Sequence, residues 1–175
     1  MKRRAWLTGG VAALAAVGGV WWQTRASVPQ ALEGDAAFWT MSFERPEGGQ
    51  LTIDAFRGRP VLLNFWATWC PPCVKEMPML SDFQRAQEAA QWQVIGIAVD
   101  SPTPVRQFLN RTPMSFPIGL AGMDGIELSR SLGNQGGQMP FTVVFDRSGR
   151  AVERKLGALQ PEDLARWAAK WSATA

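Results

Sequence analysis

A short motif, Cys70-Pro71-Pro72-Cys73, stands between an apolar run and a segment with helical periodicity. This junction restricts the fold more than any other part of the chain. The run before it, Val61 to Ala67, is apolar at nearly every position, which is typical of a strand covered on both faces. After the motif, apolar residues recur at helical spacing: Val74, Met77, Leu80, Phe83, Ala86 and Ala90. The sequence therefore predicts a buried strand that delivers Cys70 to the start of a helix, with a kink at Pro78.

The two cysteines are the only ones among the 175 residues. The first N–H groups of a helix lack intrahelical partners and carry partial positive charge, so they stabilise a thiolate at this place. Thiolate is the form that attacks disulfides, and a second thiol three residues on can release a captured substrate by closing a ring. We therefore interpret Cys70 and Cys73 as a redox pair.

Two other readings of the motif are weaker. A structural disulfide closing so small a loop would restrict the unfolded chain rather little. Structural zinc takes four Cys or His ligands, and this chain has no third cysteine and no histidine. We expect no metal and no cofactor other than the Cys70–Cys73 disulfide.

The rest of the chain follows an α/β pattern. Segments at 38–43 and 50–53 flank the turn residues Arg45 to Gly49 and predict an N-terminal β-hairpin. Further predicted strands lie at 93–99, 116–120, 141–145 and 151–156, and further helices lie after Asp100, at 125–132 and from Pro161 onward. Residues 133–138 are predicted to form a flexible loop before Met139-Pro140. This order predicts a mixed central sheet with helices on both faces.

The N-terminus has the pattern of an export segment. Three basic residues follow Met1, and residues 5–22 carry no charge, which predicts either a cleaved signal peptide or a retained membrane anchor within residues 1–25. Residues 26–35 look like a tether, and 36–175 like one domain. The chain has a net charge of +3, but four basic residues and no acidic ones lie in the first 25 positions. The remaining 14 basic and 15 acidic residues give −1, which does not favour a nucleic-acid partner.

The chain resembles the thioredoxin fold and, within it, the TlpA/ResA-like thiol–disulfide oxidoreductases, which include the cytochrome c maturation reductants. The resemblance covers roughly residues 36 to 172. It is carried by three stretches: Leu63 to Cys73, Glu76-Met77-Pro78, and Met139-Pro140-Phe141-Thr142 ahead of a strand pair. It implies a protein that takes electrons from an inner-membrane donor and delivers them to protein disulfides outside the cytoplasm. We expect a periplasmic monomer that residues 5–22 tether to the inner membrane.

The same resemblance implies roles for single residues. Cys70 is the exposed nucleophile, and Cys73 is the buried resolving thiol. Pro140 matches the cis-proline that packs beside the cysteines and presents backbone to an extended substrate. We assign Trp69, Pro71, Pro72 and Met139 to the substrate groove, with plain packing as the alternative for Trp69.

Glu76 is a further candidate, because Asn64 stands where ordinary thioredoxins carry a buried aspartate. Glu76 lies one helical turn after Cys73 and on the same face. We hypothesise that it accepts the proton of Cys73 during the resolving step, with its pKa raised by partial burial. The alternative is a solvated acid favoured by the helix dipole.

The two prolines bear on the direction of electron flow. Neither Pro71 nor Pro72 has an N–H to stabilise the Cys70 thiolate, so we expect the Cys70 pKa to lie above the value of about 3.5 seen in strong oxidants. This favours a reductase of protein disulfides. Two alternatives remain open: an oxidant that introduces disulfides, and a metallochaperone that binds Cu(I) through both cysteines. Apocytochrome c, copper-site proteins and misoxidised proteins are all possible substrates.

Overall fold

The computed structural model describes residues 35–172, which form seven strands and four α-helices. In chain order they are β1 (Ser42–Glu44), β2 (Gln50–Thr52), β3 (Val61–Trp66), α1 (Pro71–Ala86), β4 (Gln93–Ala98), α2 (Pro102–Arg111), β5 (Ile118–Leu120), α3 (Gly125–Ser131), β6 (Phe141–Phe145), β7 (Ala151–Leu156) and α4 (Pro161–Trp171). The predicted strands and helices from Val61 onward are present, with ends that differ by at most two residues in the strands.

The strands form one mixed sheet in the order β2-β1-β5-β4-β3-β6-β7. The pairs β3–β4 and β4–β5 are parallel, whereas the β1–β2, β1–β5, β3–β6 and β6–β7 pairs are antiparallel. The N-terminal hairpin thus extends the sheet through β5. All six residues of β3 are buried, as its apolar sequence predicts, because β3 has neighbours on both sides and helices across both faces.

Each face of the sheet has its own apolar core. Helices α1, α2 and α4 cover the face that carries Leu62 and Trp66, and both residues are fully buried there. Helix α3 and the residues before β1 cover the opposite face, which carries Leu63 and Phe65. The alternation along β3 places Asn64 on the α1 side, together with Leu62 and Trp66.

The N-terminal boundary differs from the prediction. Residues 35–38 form a helical turn, so Phe38 and Trp39 do not belong to the hairpin. Both side chains are buried and pack around Phe145. Large aromatic side chains bury the most apolar surface when they cover the open face of a sheet. Asp35, assigned to the tether by sequence, is also buried, and it pairs with Arg154 of β7.

The predicted buried face of α1 extends too far toward the C-terminus of the helix. Its buried positions end at Phe83, and Ala86 is exposed at the end of the helix. Within residues 35–172 no helix is both long and apolar enough to cross a membrane. The predicted export segment, residues 1–25, and all of the tether except Asp35 lie outside the described residues.

Candidate active site

Cys70 is the N-cap of α1, and its sulfur is bonded to that of Cys73. Its backbone is extended, with φ −103° and ψ 98°, and the Cys73 N–H donates to Cys70 Sγ at 3.4 Å. Pro71 and Pro72 occupy the first two positions of the helix and contribute no N–H. The Cys70 sulfur therefore sits at the positive end of the helix dipole but receives one backbone N–H of the first turn.

The two cysteines differ in accessibility in this disulfide form. Cys70 keeps 5% of its surface exposed and Cys73 keeps none. Cys70 is thus the more accessible of the pair, as predicted, but far less exposed than the sequence reading implies. Both cysteines belong to the apolar cluster on the α1 side of the sheet, which accounts for their burial.

Several residues assigned to the substrate groove lie near the C-terminal end of β3 and the N-terminal end of β6. The Met139–Pro140 peptide bond is cis, as the resemblance predicts. Phe141 pairs with Phe65, so Pro140 lies at the same end of the sheet as the segment that leads to Cys70. Trp69 is 59% exposed, Pro71 and Pro72 are exposed, and Met139 is half-buried. The exposure of Trp69 favours a contact surface over a packing role.

Glu76 is buried, with 3% of its surface exposed. Its Oε1 accepts a hydrogen bond from Asn64 Nδ2 at 2.8 Å, and its Oε2 accepts one from the Leu159 N–H at 2.8 Å. Burial raises the pKa of Glu76, although these two hydrogen bonds and the charge of Lys155 act in the opposite direction. The position one turn after Cys73 is as predicted, and the solvated alternative is wrong for this side chain.

Asn64 connects Glu76 to the neighbouring strand. Its Nδ2 also donates to Thr142 Oγ1 at 3.1 Å, whereas its Oδ1 is buried without a hydrogen-bond partner. If the Asn64 amide rotates, this unpaired oxygen can accept a hydrogen bond from the protonated carboxyl of Glu76. The polar cluster of Asn64, Thr142 and Glu76 is therefore able to accommodate either protonation state of the Glu76 carboxyl.

Sequence reasoning missed Asp100, which fixes the segment before Cys70. Its Oδ2 accepts from the Thr68 N–H at 3.0 Å and from the Thr68 hydroxyl at 2.5 Å, and its Oδ1 accepts from the Ser101 N–H at 2.7 Å. Asp100 follows β4, which pairs in parallel with β3. An acid at the end of a strand next to the motif strand was the available signal.

Asn134 was also missed, and it corrects the prediction of a flexible loop before Met139. Its side chain is buried, donates to the Gln138 carbonyl at 2.7 Å and to Ser129 Oγ at 3.1 Å, and accepts from the Gln138 N–H at 3.2 Å. The loop is thus folded around one asparagine. Glycine content suggested mobility, but a buried amide can supply the hydrogen bonds that order such a loop.

A two-cysteine disulfide at the N-terminus of a helix, with a cis-proline at the same end of a mixed sheet, is the arrangement of thioredoxin-fold thiol–disulfide oxidoreductases. The chain belongs to the Redoxin family, whose model matches residues 32–169. Within residues 35–172, no group of three or more His, Cys, Asp or Glu side chains is placed to hold a metal ion.

Relatives agree with this assignment. The thiol-disulfide oxidoreductase ResA of Bacillus thuringiensis is 30% identical over 120 residues, and the match covers 67% of this chain and 66% of that protein. ResA of Geobacillus thermodenitrificans is 29% identical over 119 residues, with the same coverage. The chain thus spans just under two thirds of the length of these curated relatives.

Solved structures support the fold. StoA from Bacillus subtilis superposes with a TM-score of 0.59 at 23% identity, covering 73% of this chain and 94% of that one. A secreted disulfide oxidoreductase of Mycobacterium tuberculosis superposes with a TM-score of 0.62 at 20% identity, covering 75% and 96%. The thioredoxin-like fold predicted from the sequence is therefore confirmed.

Proposed function

We propose that this protein is a thiol–disulfide oxidoreductase that reduces disulfide bonds in other proteins. The observation that carries the proposal is the Cys70–Cys73 disulfide at the N-terminus of α1, with Cys70 the more accessible residue. The name of the ResA relatives, thiol-disulfide oxidoreductase, supports the same class of reaction.

The reaction begins with the reduced pair and the Cys70 thiolate. The thiolate attacks one sulfur of a substrate disulfide, the substrate S–S bond breaks, and the other substrate sulfur leaves as a thiolate. Cys73 then transfers its proton to Glu76 and attacks Cys70 Sγ. The mixed disulfide breaks, the second substrate sulfur leaves, and the Cys70–Cys73 disulfide forms. Two electrons have passed from the protein to the substrate.

Glu76 suits the role of proton acceptor because it is buried next to Cys73 along α1. Its raised pKa brings proton binding closer to neutral pH, where a base is most useful. If the Asn64 amide rotates, its Oδ1, which lacks a partner, can accept a hydrogen bond from the protonated Glu76 carboxyl.

The direction of the reaction follows from the first turn of α1. With Pro71 and Pro72 at its start, the turn offers the Cys70 thiolate one N–H, that of Cys73. Strong oxidants owe their potential to a highly stabilised reduced form. Fewer donors leave the reduced form of this protein less stabilised, so it gives up electrons readily.

The substrate-facing surface consists of the exposed Trp69 indole, the exposed Pro71 and Pro72 rings and half-buried Met139. This surface suits an unfolded or extended protein segment that carries a disulfide. We propose that the protein works as a monomer in the periplasm, tethered by residues 5–22 and recharged by a dithiol donor in the inner membrane. The basic residues ahead of an uncharged stretch support this placement.

The equilibrium reduction potential of the Cys70–Cys73 pair tests the proposal. Against a glutathione or dithiothreitol buffer, we expect a value closer to the −270 mV or so of thioredoxin than to the −120 mV or so of a strong oxidant. The reduced protein should also cleave insulin disulfides, and the Cys70→Ser variant should not. A potential near −120 mV would favour the oxidant, and an inactive wild type with tight Cu(I) binding would favour the metallochaperone.

A further inference from the structure

The connector between β7 and α4, residues 157–160, is held by two buried carboxylates. The Leu159 N–H donates to Glu76 Oε2 at 2.8 Å, and the Gln160 N–H donates to Asp163 Oδ2 at 3.0 Å. The Gly157 N–H donates to the carbonyl of Pro140 at 2.9 Å. One short segment therefore contacts the proposed proton acceptor, the start of α4 and the cis-proline.

Lys155 lies at the end of a polar row that crosses the sheet beneath α1. Asn64 pairs with Thr142 on the neighbouring strand, and Thr142 pairs with Lys155 on the next. Residues directly opposite each other project from the same face, so all three side chains lie on the side that α1 and α4 cover. The Lys155 ammonium group forms an ion pair with Asp163, whose side chain is only 9% exposed.

Few charged groups face Glu76 from the elements packed around it. Strands β3 and β6 contribute the neutral Asn64 and Thr142, and β7 contributes Lys155. From α1, the neighbouring cysteines are joined in the disulfide, and Lys75 is exposed to solvent.

Helix α4 contributes one acidic and one basic residue to this environment, Asp163 and Arg166. Asp163 accepts from Lys155 and, at 2.9 Å, from Arg166, which is 59% exposed. Lys155 is half-buried, with 28% of its side chain exposed. Arg166 is screened by water far more than Lys155, so Lys155 is the cation whose charge acts on Glu76 through the protein interior.

We infer that Lys155 is a positioning residue for disulfide exchange, whose ammonium group, fixed by Asp163 beside the β7–α4 connector, lowers the pH at which Glu76 takes up the Cys73 proton. This inference rests on the proposed function. The charge of Lys155 lowers the pKa of Glu76 and so offsets part of the increase that burial causes. Asp163 neutralises part of the Lys155 charge, so the two residues act on Glu76 in opposite directions.

The test is a titration of the Glu76 side-chain carboxyl by ¹³C NMR in the full-length oxidised protein. Relative to the wild type, Lys155→Gln should move the Glu76 midpoint to higher pH, and Asp163→Asn should move it to lower pH. Lys155→Arg keeps the charge and should restore the wild-type midpoint. Lys170→Gln is the matched control, because Lys170 also joins α4 to β7, through Glu153, but at an exposed position.

A second readout is the pH profile of insulin reduction. Below the wild-type midpoint, Lys155→Gln should reduce the turnover rate about two- to fivefold, the range expected for one partly screened charge. The profile of Lys170→Gln should match the wild type. A wild type that titrates as described but does not reduce insulin would contradict the proposed function alone.

Two results would overturn the inference itself. One is a Glu76 midpoint that is the same in Lys155→Gln, Asp163→Asn and Lys170→Gln. The other is a shift of the Lys155→Gln and Asp163→Asn midpoints in the same direction, which would indicate a purely structural effect of breaking the ion pair. Lys155→Arg decides the case if Asp163→Asn fails to fold, because a shifted midpoint in Lys155→Arg would also contradict a role for the charge.

Discussion

The substitution Glu76→Gln separates the contribution of Glu76 to catalysis from its contribution to stability. Glutamine keeps an oxygen that accepts from the Leu159 N–H, and its NH₂ group can donate to Asn64 Oδ1, which lacks a partner in the wild type, once the Asn64 amide rotates. The rotation moves Asn64 Nδ2 to the position without a partner and lets the Thr142 hydroxyl donate to Oδ1, so the number of unpaired buried atoms does not increase. The substitution removes a carboxylate that is expensive to ionise in a buried position.

The substitution is expected to increase the free energy of unfolding and to decrease the rate of the resolving step. Burial raises the folded-state pKa of Glu76 above its ordinary value of 4.5, so the folded protein binds the proton more tightly than the unfolded chain. Wild-type stability therefore falls as the pH rises from about 4.5 through the folded-state pKa. The Glu76→Gln variant lacks this loss, and we expect it to be more stable than the wild type by about 1 kcal/mol at pH 8. We expect the resolving step to slow about 10²-fold, as for a lost general base.

The assays are urea denaturation at pH 5 and pH 8 and stopped-flow measurement of the resolving step. Glu162→Gln, at an exposed position in the first turn of α4, is the control and should change neither quantity. A variant that resolves the mixed disulfide at the wild-type rate would refute the role of Glu76 as proton acceptor. A stability loss above about 2 kcal/mol at both pH values would show that the carboxylate serves mainly as a structural hydrogen-bond acceptor.

The remaining predictions concern the first turn of α1, the segment before it and the ion pair in α4. Pro72→Ala adds an N–H where a helix cap accepts one, so it should raise the reduction potential by about 30 mV, whereas Pro71→Ala, one position earlier, should raise it less. Asp100→Ala leaves the Thr68 N–H without its partner and should lower the free energy of unfolding by about 2 kcal/mol; an unchanged urea midpoint would contradict this. Asp163 has a pKa of about 2 despite its burial, because Lys155, the Gln160 N–H and Arg166 stabilise its charge. This shift from 3.8 corresponds to a contribution of about 2 kcal/mol, which is present above pH 4 and is lost as the pH falls toward 2. Asp163→Asn should show a correspondingly smaller loss of stability in acid.

Elements such as β3 and α4 could be predicted because their sequence pattern agrees with their burial or with the preferred position of proline. The β3 run is apolar throughout and is buried throughout, and Pro161 begins α4 at a position where proline is favoured. The sequence pattern places Phe38 and Trp39 in a strand, because aromatic residues favour strands. Their position is instead determined by the open face of the sheet, which only the assembled fold shows.

The candidate site was predictable only in part. Cys70, Cys73 and Glu76 lie within one helical segment, so their spacing is readable from the sequence. Asp100 and Lys155 act through strand pairing, and Asn134 acts through a loop that it folds around itself. The partners of these three residues become clear only when the strands pair or the loop closes. The sequence therefore indicates the reacting groups but not the residues that hold them in place.

The central claim is that Cys70 attacks and Cys73 resolves, and one trapping experiment tests it most directly. The reduced Cys73→Ser variant is incubated with an oxidised protein substrate such as insulin, and covalent adducts are measured by non-reducing mass spectrometry with peptide mapping. We predict a stable mixed disulfide on Cys70, and no adduct in the Cys70→Ser variant under the same conditions. An adduct that forms through Cys73 in Cys70→Ser, with none on Cys70 in Cys73→Ser, would contradict the account.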